Sequence, residues 1–563
     1  MSLGRISVIL LLFHATIGFA YTLTTNERGD PVRLRYGQKL LLAGNPASAS
    51  AYPPESFRSG IIDALQQWSV ATGRILDFDY WQGTDREHYP TGFSLNGLSS
   101  IFFASRTSDA VDPNVIGYTQ LWFNQNTGDI VESDIILNDR NFLFTSKPSD
   151  SSSRTRGPNP QVYLNSILTH ELGHSIGLGH SGNLNSSMLF VEFLEQYRLG
   201  CDDIAGARHL YGGSSGYGAL SGALLSPNRD PVAGAQITAI SRDTGLPIAS
   251  TLSDQNGRFL FGALDSGGFA LAVAPYPGTP ESVSLEYSPK NRNFCKNQPF
   301  PLQFMTLDDD HTLEQFQVNA RQRTDTGVHV LDCNGIQPSG GTLENEIAPE
   351  FFVDSGSVAR SVNYSFVADG DFTVTGLTHL LLSPIRVSLD AFDEKGMRIP
   401  MKSNYPLYSS DSGFKIAETR IQGKAFGKIT IRATPLFPTD ASYPAFSIKL
   451  ESNPFFVVNF RSGKVENNPR CLPEGPFPEY QSPAGTPPRY STTQSAREAL
   501  GFCGTPPAQA ATHDHFSSRE AFSLGKILGW FWPFFWIAAF QLNSIRRRAR
   551  LKASCRSDSF RSS

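Results

Sequence analysis

Apolar residues follow three rhythms along this chain. Between positions 164 and 176, Leu164, Ile167, Leu168, Leu172 and Ile176 recur every three or four residues, which predicts an amphipathic helix with one inward stripe. Pro158 and Pro160 punctuate its start. After 212–216, a Gly/Ser-rich stretch that reads as a flexible linker, the rhythm shortens to near-alternation with regular turns, as in 221–225, 231–239 and 253–261. The same pattern returns in 386–392 and 428–433 and predicts antiparallel sheet, most simply a second sandwich over 345–460. The third rhythm has no period: 6–19 and 527–545 are continuous apolar runs.

Those two runs set the expected location. Arg5, the run behind it, and Gly18 and Ala20 at small-residue positions read as a secretory signal peptide over 1–20, with a mature start near Tyr21. As a helix, 527–545 would span about 28 Å, enough for one bilayer crossing. Arg546, Arg547, Arg548, Arg550 and Lys552 follow at once, so 546–563 is expected as a basic cytoplasmic tail with the rest of the chain exported. Such an ending also resembles bacterial sorting tails that are clipped after export, so membrane anchoring and release both stay open. Residues 461–525, rich in Pro, Gly, Ser and Thr, read as an extended stalk.

Composition narrows partners more than fold. With 48 basic and 52 acidic residues there is no broad basic face, and nucleic acid is not an expected partner. The six cysteines suit an oxidising compartment: Cys295 with Cys333 and Cys471 with Cys503 would close modest loops, and Cys555 lies beyond the membrane run. Cys201 is left over, either packed under a helix or paired with a distant cysteine. Oligomeric state is not legible.

The chemistry concentrates in 170–180, His-Glu-Leu-Gly-His-Ser-Ile-Gly-Leu-Gly-His. His170 and His174 are four apart on the predicted helix and so present two imidazoles to one ion. Gly177 can take a left-handed conformation, end the helix and return the chain so that His180 becomes a third ligand. Three imidazoles leave a fourth tetrahedral position for water, the arrangement of catalytic Zn2+, and Glu171 adjoins the first ligand as general base. Other candidates are weaker. His209 reads as a solvated or capping residue, His513 and His515 as linker, and Asp308, Asp309 and Asp310 as a solvated turn.

The eleven residues resemble the metzincin metallopeptidases, whose next shared element is a methionine turn beneath the zinc. Met188 stands eight residues after His180 in a chain with five methionines. Residues 199–212, with Asp202-Asp203-Ile204 and Leu210-Tyr211-Gly212, resemble the closing helix of the matrixin branch and disfavour other metzincins such as the pappalysins. Ala64 to Ser69, Leu76 to Phe78 and 128–138 resemble the matrixin first helix, the strand after it and the last strands before the zinc helix. The resemblance covers about 31–213 and implies a twisted mixed sheet with three helices. It also implies structural Ca2+ or further zinc, for which no ligands can be placed. Two departures stand out. Leu189, Phe190 and Val191 follow the methionine where animal matrixins carry Pro and Tyr, and no cysteine precedes Cys201 to serve as a propeptide latch. Residues 115–123 are a candidate edge strand for an extended substrate, or an ordinary buried strand.

Segments at 221–225, 231–239 and 253–261 resemble the carboxypeptidase regulatory-like β-sandwich, covering 219–277, a module expected as spacer or binding support. The whole is expected as a multidomain chain: an α+β metzincin domain, that sandwich, a Cys-containing connector over 278–344, the second sandwich, the stalk and the transmembrane helix. The expected function is a secreted or membrane-tethered zinc endopeptidase acting on extracytoplasmic proteins through water activated by Glu171. The alternative is a surface binding or adhesion protein with a weakly active or inactive metzincin scaffold.

Overall fold

The computed structural model describes residues 22–276 apart from 49–51, 86–87, 114, 148–160, 184–185, 190–193, 213–215 and 242–246; beyond these it describes 294–295, 300, 303–305, 316–333, 351–355, 362–377, 386–404, 418–436, 455–462, 480–489 and 500–502. The signal peptide, the membrane run 527–545, the basic tail, Asp308 to Asp310, His513 and His515 lie outside these residues, as do Cys471, Cys503 and Cys555. Among the described residues no helix is long and apolar enough to cross a membrane.

Short runs of β-formers set the first sheet. Leu40–Gly44 (β1), Phe78–Gln82 (β2), Ser99–Phe103 (β3), Gly117–Asn124 (β4) and Ile130–Leu137 (β5) lie in the order β2-β1-β3-β5-β4. β1 pairs in parallel with β2 and β3, β3 is parallel to β5, and β4 is antiparallel to β5, so the sheet is mixed as expected. Pro54–Ala71 (α1), which begins at a proline as a first helical turn allows, packs against Leu164–Ser175 (α2). The fully buried Trp68 joins them, its indole N–H donating to the Thr169 carbonyl at 3.0 Å. Leu143–Thr145 (β6) and Gln161–Tyr163 (β7) form a parallel pair ahead of α2, and Cys201–Tyr211 (α3) closes the unit.

The unit begins earlier than position 31. Leu23, Val32 and Leu34 are in its core, and Thr22 to Thr24 pair antiparallel with 177–179 through Thr24 N to Gly177 O (3.0 Å) and Gly179 N to Thr22 O (2.6 Å).

The alternating segments after 216 form two facing sets of strands. Ala235–Ser241 (β9), Pro247–Leu252 (β10), Gly267–Pro275 (β12), Gln303–Phe304 (β13) and Phe316–Val318 (β14) make one sheet; Gly218–Leu225 (β8), Arg258–Leu264 (β11) and Arg323–Val330 (β15) make the other. β13 to β15 come from the segment read as a connector, and Cys295 is bridged to Cys333 with Cα atoms 5.3 Å apart. This unit is not held at arm's length by the Gly/Ser stretch. One continuous core runs from Leu210 and Tyr211 of α3 into Leu220, Leu224, Phe259 and Phe261, because α3 presents an apolar face and the sandwich covers it.

Residues 351–462 form, among the described residues, one hydrogen-bonded set of six antiparallel strands, dominated by the long pair Val362–Leu377 and Glu418–Leu436. Their inward positions, including Phe372, Val374 and Ile431, make a separate small core.

Residues 480–489 return to the first unit. The Tyr480 ring lies 5.0 Å from that of Phe78, its hydroxyl accepts the Tyr80 N–H at 2.9 Å, and Arg58 donates to Tyr480 O and Ser482 Oγ. Leu500–Phe502 then pairs antiparallel with the outer edge of β4 opposite Trp122 to Asn124. β4, read as the candidate edge strand, is therefore covered at its far end.

Candidate active site

Helix α2 stops where the sequence places Gly177. The N–H groups of Gly177 and Leu178 reach back to His174 O (2.9 Å) and Gly173 O (3.0 Å), and Gly177 has φ +98°. A Cβ there would also stand 1.9 Å from the Val32 carbonyl oxygen, so both the turn and the crossing strand require glycine. The chain then swings back and delivers His180.

The ring nitrogens of His170, His174 and His180 lie within 4.8 Å of one another, a group that can hold a metal ion. Ring centroids are 4.7 to 5.1 Å apart. Two tautomers are fixed from behind: His170 Nδ1–H donates to Ser187 O (2.7 Å) and His174 Nδ1–H to Leu178 O (2.8 Å). Their Nε2 lone pairs therefore face each other across 3.1 Å with no proton between them, which disfavours an empty cluster and suits a shared cation.

Against the same helix lies Met188, 2% exposed. A Cβ on Gly173 would meet its sulfur at 2.2 Å, so the helix touches the methionine through a glycine. Three groups outside the motif hold this turn. Asp203 accepts from Ser186 Oγ, Ser187 N (2.6 Å) and Met188 N (3.1 Å) while also accepting Gly200 N (2.7 Å) at the start of its own helix. Buried Gln196 donates to Ser187 O (2.8 Å) and Leu189 O (2.9 Å). Asp202 accepts from Ser181 Oγ (2.5 Å), one residue past His180. Burial pushes the Asp202 carboxyl up to about 7 and raises that of Asp203 against these hydrogen bonds.

Glu171 is 4% exposed and points toward β4, where Thr119 Oγ1 donates to its Oε2 at 2.6 Å. Gly117 makes room, since a Cβ there would lie 2.6 Å from Glu171 Oε1. The structure thus brings together Glu171, the three histidines and Met188. It leaves His209 outside the cluster and not in solvent: it packs on Gly262 of the sandwich, and burial, aided by Arg33, pushes its imidazole down to about 4. Cys201 is disulfide-bonded, which settles its open reading in favour of pairing. Thr119, Gln196 and Ser181 escaped the sequence reading because each is one hydroxyl or amide at a position with no periodic signal. Two adjacent acids opening a helix at Asp202 and Asp203 were the one visible hint.

Residues 45–212 match the matrixin peptidase family, Peptidase_M10. Among curated proteins, the hatching enzyme of Paracentrotus lividus is 40% identical over 72 residues, 12% of this chain and 12% of that protein. Matrilysin of Rattus norvegicus is 44% identical over 62 residues, 10% of this chain and 23% of matrilysin. Human matrix metalloproteinase-26 is 45% identical over 49 residues, 8% of this chain and 19% of that one. The chain therefore spans less than a quarter of each relative. A solved Klebsiella pneumoniae 5-hydroxyisourate hydrolase aligns at 14% identity over 20% of this chain and 85% of that one, with a TM-score of 0.13, too low to bear on fold or function. With a mixed sheet, a helix ending at Gly177 and three convergent imidazoles, residues 45–212 carry the features of the matrixin-type metallopeptidase domain that they match.

Proposed function

We propose that this domain is a zinc-dependent endopeptidase that hydrolyses peptide bonds of extracytoplasmic proteins, with His170, His174 and His180 holding the metal and Glu171 acting as general base. The observation that carries the reading is the convergence of three imidazoles, two with Nδ1 committed to carbonyls, beside a carboxylate held by Thr119. An all-nitrogen set of three fits Zn2+ better than Ca2+ or Mg2+, which take oxygen ligands. When bound, zinc supplies Lewis acidity toward the scissile carbonyl and lowers the pKa of water toward about 7.

Glu171 accepts the proton of the attacking water and passes it to the leaving amine. The Thr119 hydroxyl restrains its carboxylate. The stretch of β4 before Trp122 offers an extended peptide a backbone to pair with, which favours broad sequence tolerance. The signal-like start and the apolar run 527–545 support export with the domain outside the cytoplasm, membrane-anchored or released after processing of the C-terminal tail.

The test uses the full-length chain with an unstructured protein substrate, with and without a zinc chelator. Glu171→Gln is expected to keep its zinc and lose on the order of 10²–10⁴-fold in kcat. Equal cleavage by wild type and variant would refute the assignment, and cleavage insensitive to chelator would refute the metal.

A further inference from the structure

We propose that the β-sandwich is a working part of the metal site, with Tyr276 and Ser250 setting the position of His180 from outside the matrixin domain. The proposal rests on the zinc-site reading above.

His180 differs from its two partners. His170 and His174 are fixed by helix α2, whereas His180 sits on irregular backbone beyond Gly177, so tertiary bonds must place it. The sandwich reaches both sides of one peptide unit, directly on one and through Asp202 of α3 on the other. Tyr276, which directly follows β12 and is fully buried, donates its hydroxyl to the His180 carbonyl at 2.8 Å. On the other side Ser181 donates to Asp202, and Asp202 in turn accepts both Ser250 N (2.5 Å) and Ser250 Oγ (3.0 Å) from β10. Ser181 N closes the arrangement on Met188 O at 2.7 Å.

The sandwich is rigidly enough seated to act in this way. His209 of α3 lies where a Cβ on Gly262 would come within 1.8 Å of its Nδ1, and the hydrophobic core is shared across the boundary. The match to the matrixin family ends at 212, so neither Tyr276 nor Ser250 belongs to it. Without the sandwich, the His180 carbonyl would lose its buried donor and Asp202 would keep Ser181 as its link to this loop. Both are positioning residues; neither touches the ion.

The experiment measures zinc affinity of the full-length chain by competition with a chromophoric chelator, alongside kcat, KM and thermal unfolding of the metal-free form. Tyr276→Phe keeps the ring and removes the donor. It is expected to weaken zinc binding by about tenfold, the low end for groups behind metal ligands, and to lower kcat with KM within about twofold and little change in melting of the metal-free protein. Zinc affinity and kcat equal to wild type overturn the proposal. If Tyr276→Phe does not fold, Ser250→Ala is read in the same way, and unchanged zinc affinity there overturns it. Failure of the wild-type chain to bind zinc overturns the metal-site reading itself, a result distinct from a wild type that binds and variants that bind equally well.

Discussion

Gly173 and Gly177 stand four residues apart in one helix end and do different work. A Cβ on Gly173 would meet the end of a flexible methionine, whereas one on Gly177 would meet the Val32 backbone and also carry a positive φ. In equilibrium urea unfolding, Gly173→Ala is expected to cost about 1–2 kcal/mol, since Met188 can shift and alanine favours helix. Gly177→Ala should cost more, about 3 kcal/mol or above, because backbone cannot yield. The reverse order would mean that the turn is softer than its contacts imply. At this scale the sequence was most legible. The spacing of His170, His174, Gly177 and His180 encodes helix geometry directly, and the structure brings Met188 to the same place. Thr119 and Gln196 were invisible because their roles depend on strands and turns that meet only in three dimensions.

Helix α3 is the element on which the two first units meet, and its titratable groups give that junction a pH signature. His209, neutral in the folded chain, has its pKa lowered to about 4 from an ordinary value near 6.5. The unfolded chain therefore takes up this proton first as pH falls, and the contribution of His209 to stability is lost between about pH 6.5 and 4. Asp202 of the same helix, pushed up to about 7 by burial, acts in the opposite sense: its contribution is greatest at low pH and is lost as pH rises through about 4 to 7. The clean measurement is a difference. Relative to His209→Asn, wild type should lose on the order of 2–3 kcal/mol between pH 6.5 and 4; parallel curves would show that His209 titrates normally. The sequence suggested the helix but not this environment. Its polar face looked solvated because nothing in 201–211 announces that a sheet from another unit will cover it. The Gly/Ser stretch at 212–216 pointed the other way, toward independence, although composition reports only what a linker permits.

At the scale of the whole molecule the chain order is folded back on itself. Residues 480–489 dock on the edge of β2, some 400 positions from Tyr80 in sequence, by one hydrogen bond, one ring contact and the Arg58 bonds. Tyr480→Phe, which loses the acceptor and keeps the ring, should lower the stability of the first unit by about 1 kcal/mol, and Tyr480→Ala by about 2–4 kcal/mol. Differential scanning calorimetry of the full chain checks this, and an unmoved first transition in both variants would show that the contact carries no stability. Alternation revealed β structure in 219–277 and 345–460, but not that strands beyond 300 complete the first sandwich, since short strands separated by long loops leave no period to read.

That return of Tyr480 bears on how the protein is made. Residues of the first unit, which leave the ribosome early, receive this packing partner only after some 400 further positions have been synthesised. Until then the three imidazoles and Glu171 belong to a unit whose β2 edge lacks the Tyr480 contact, and long-range closure of this kind is slow.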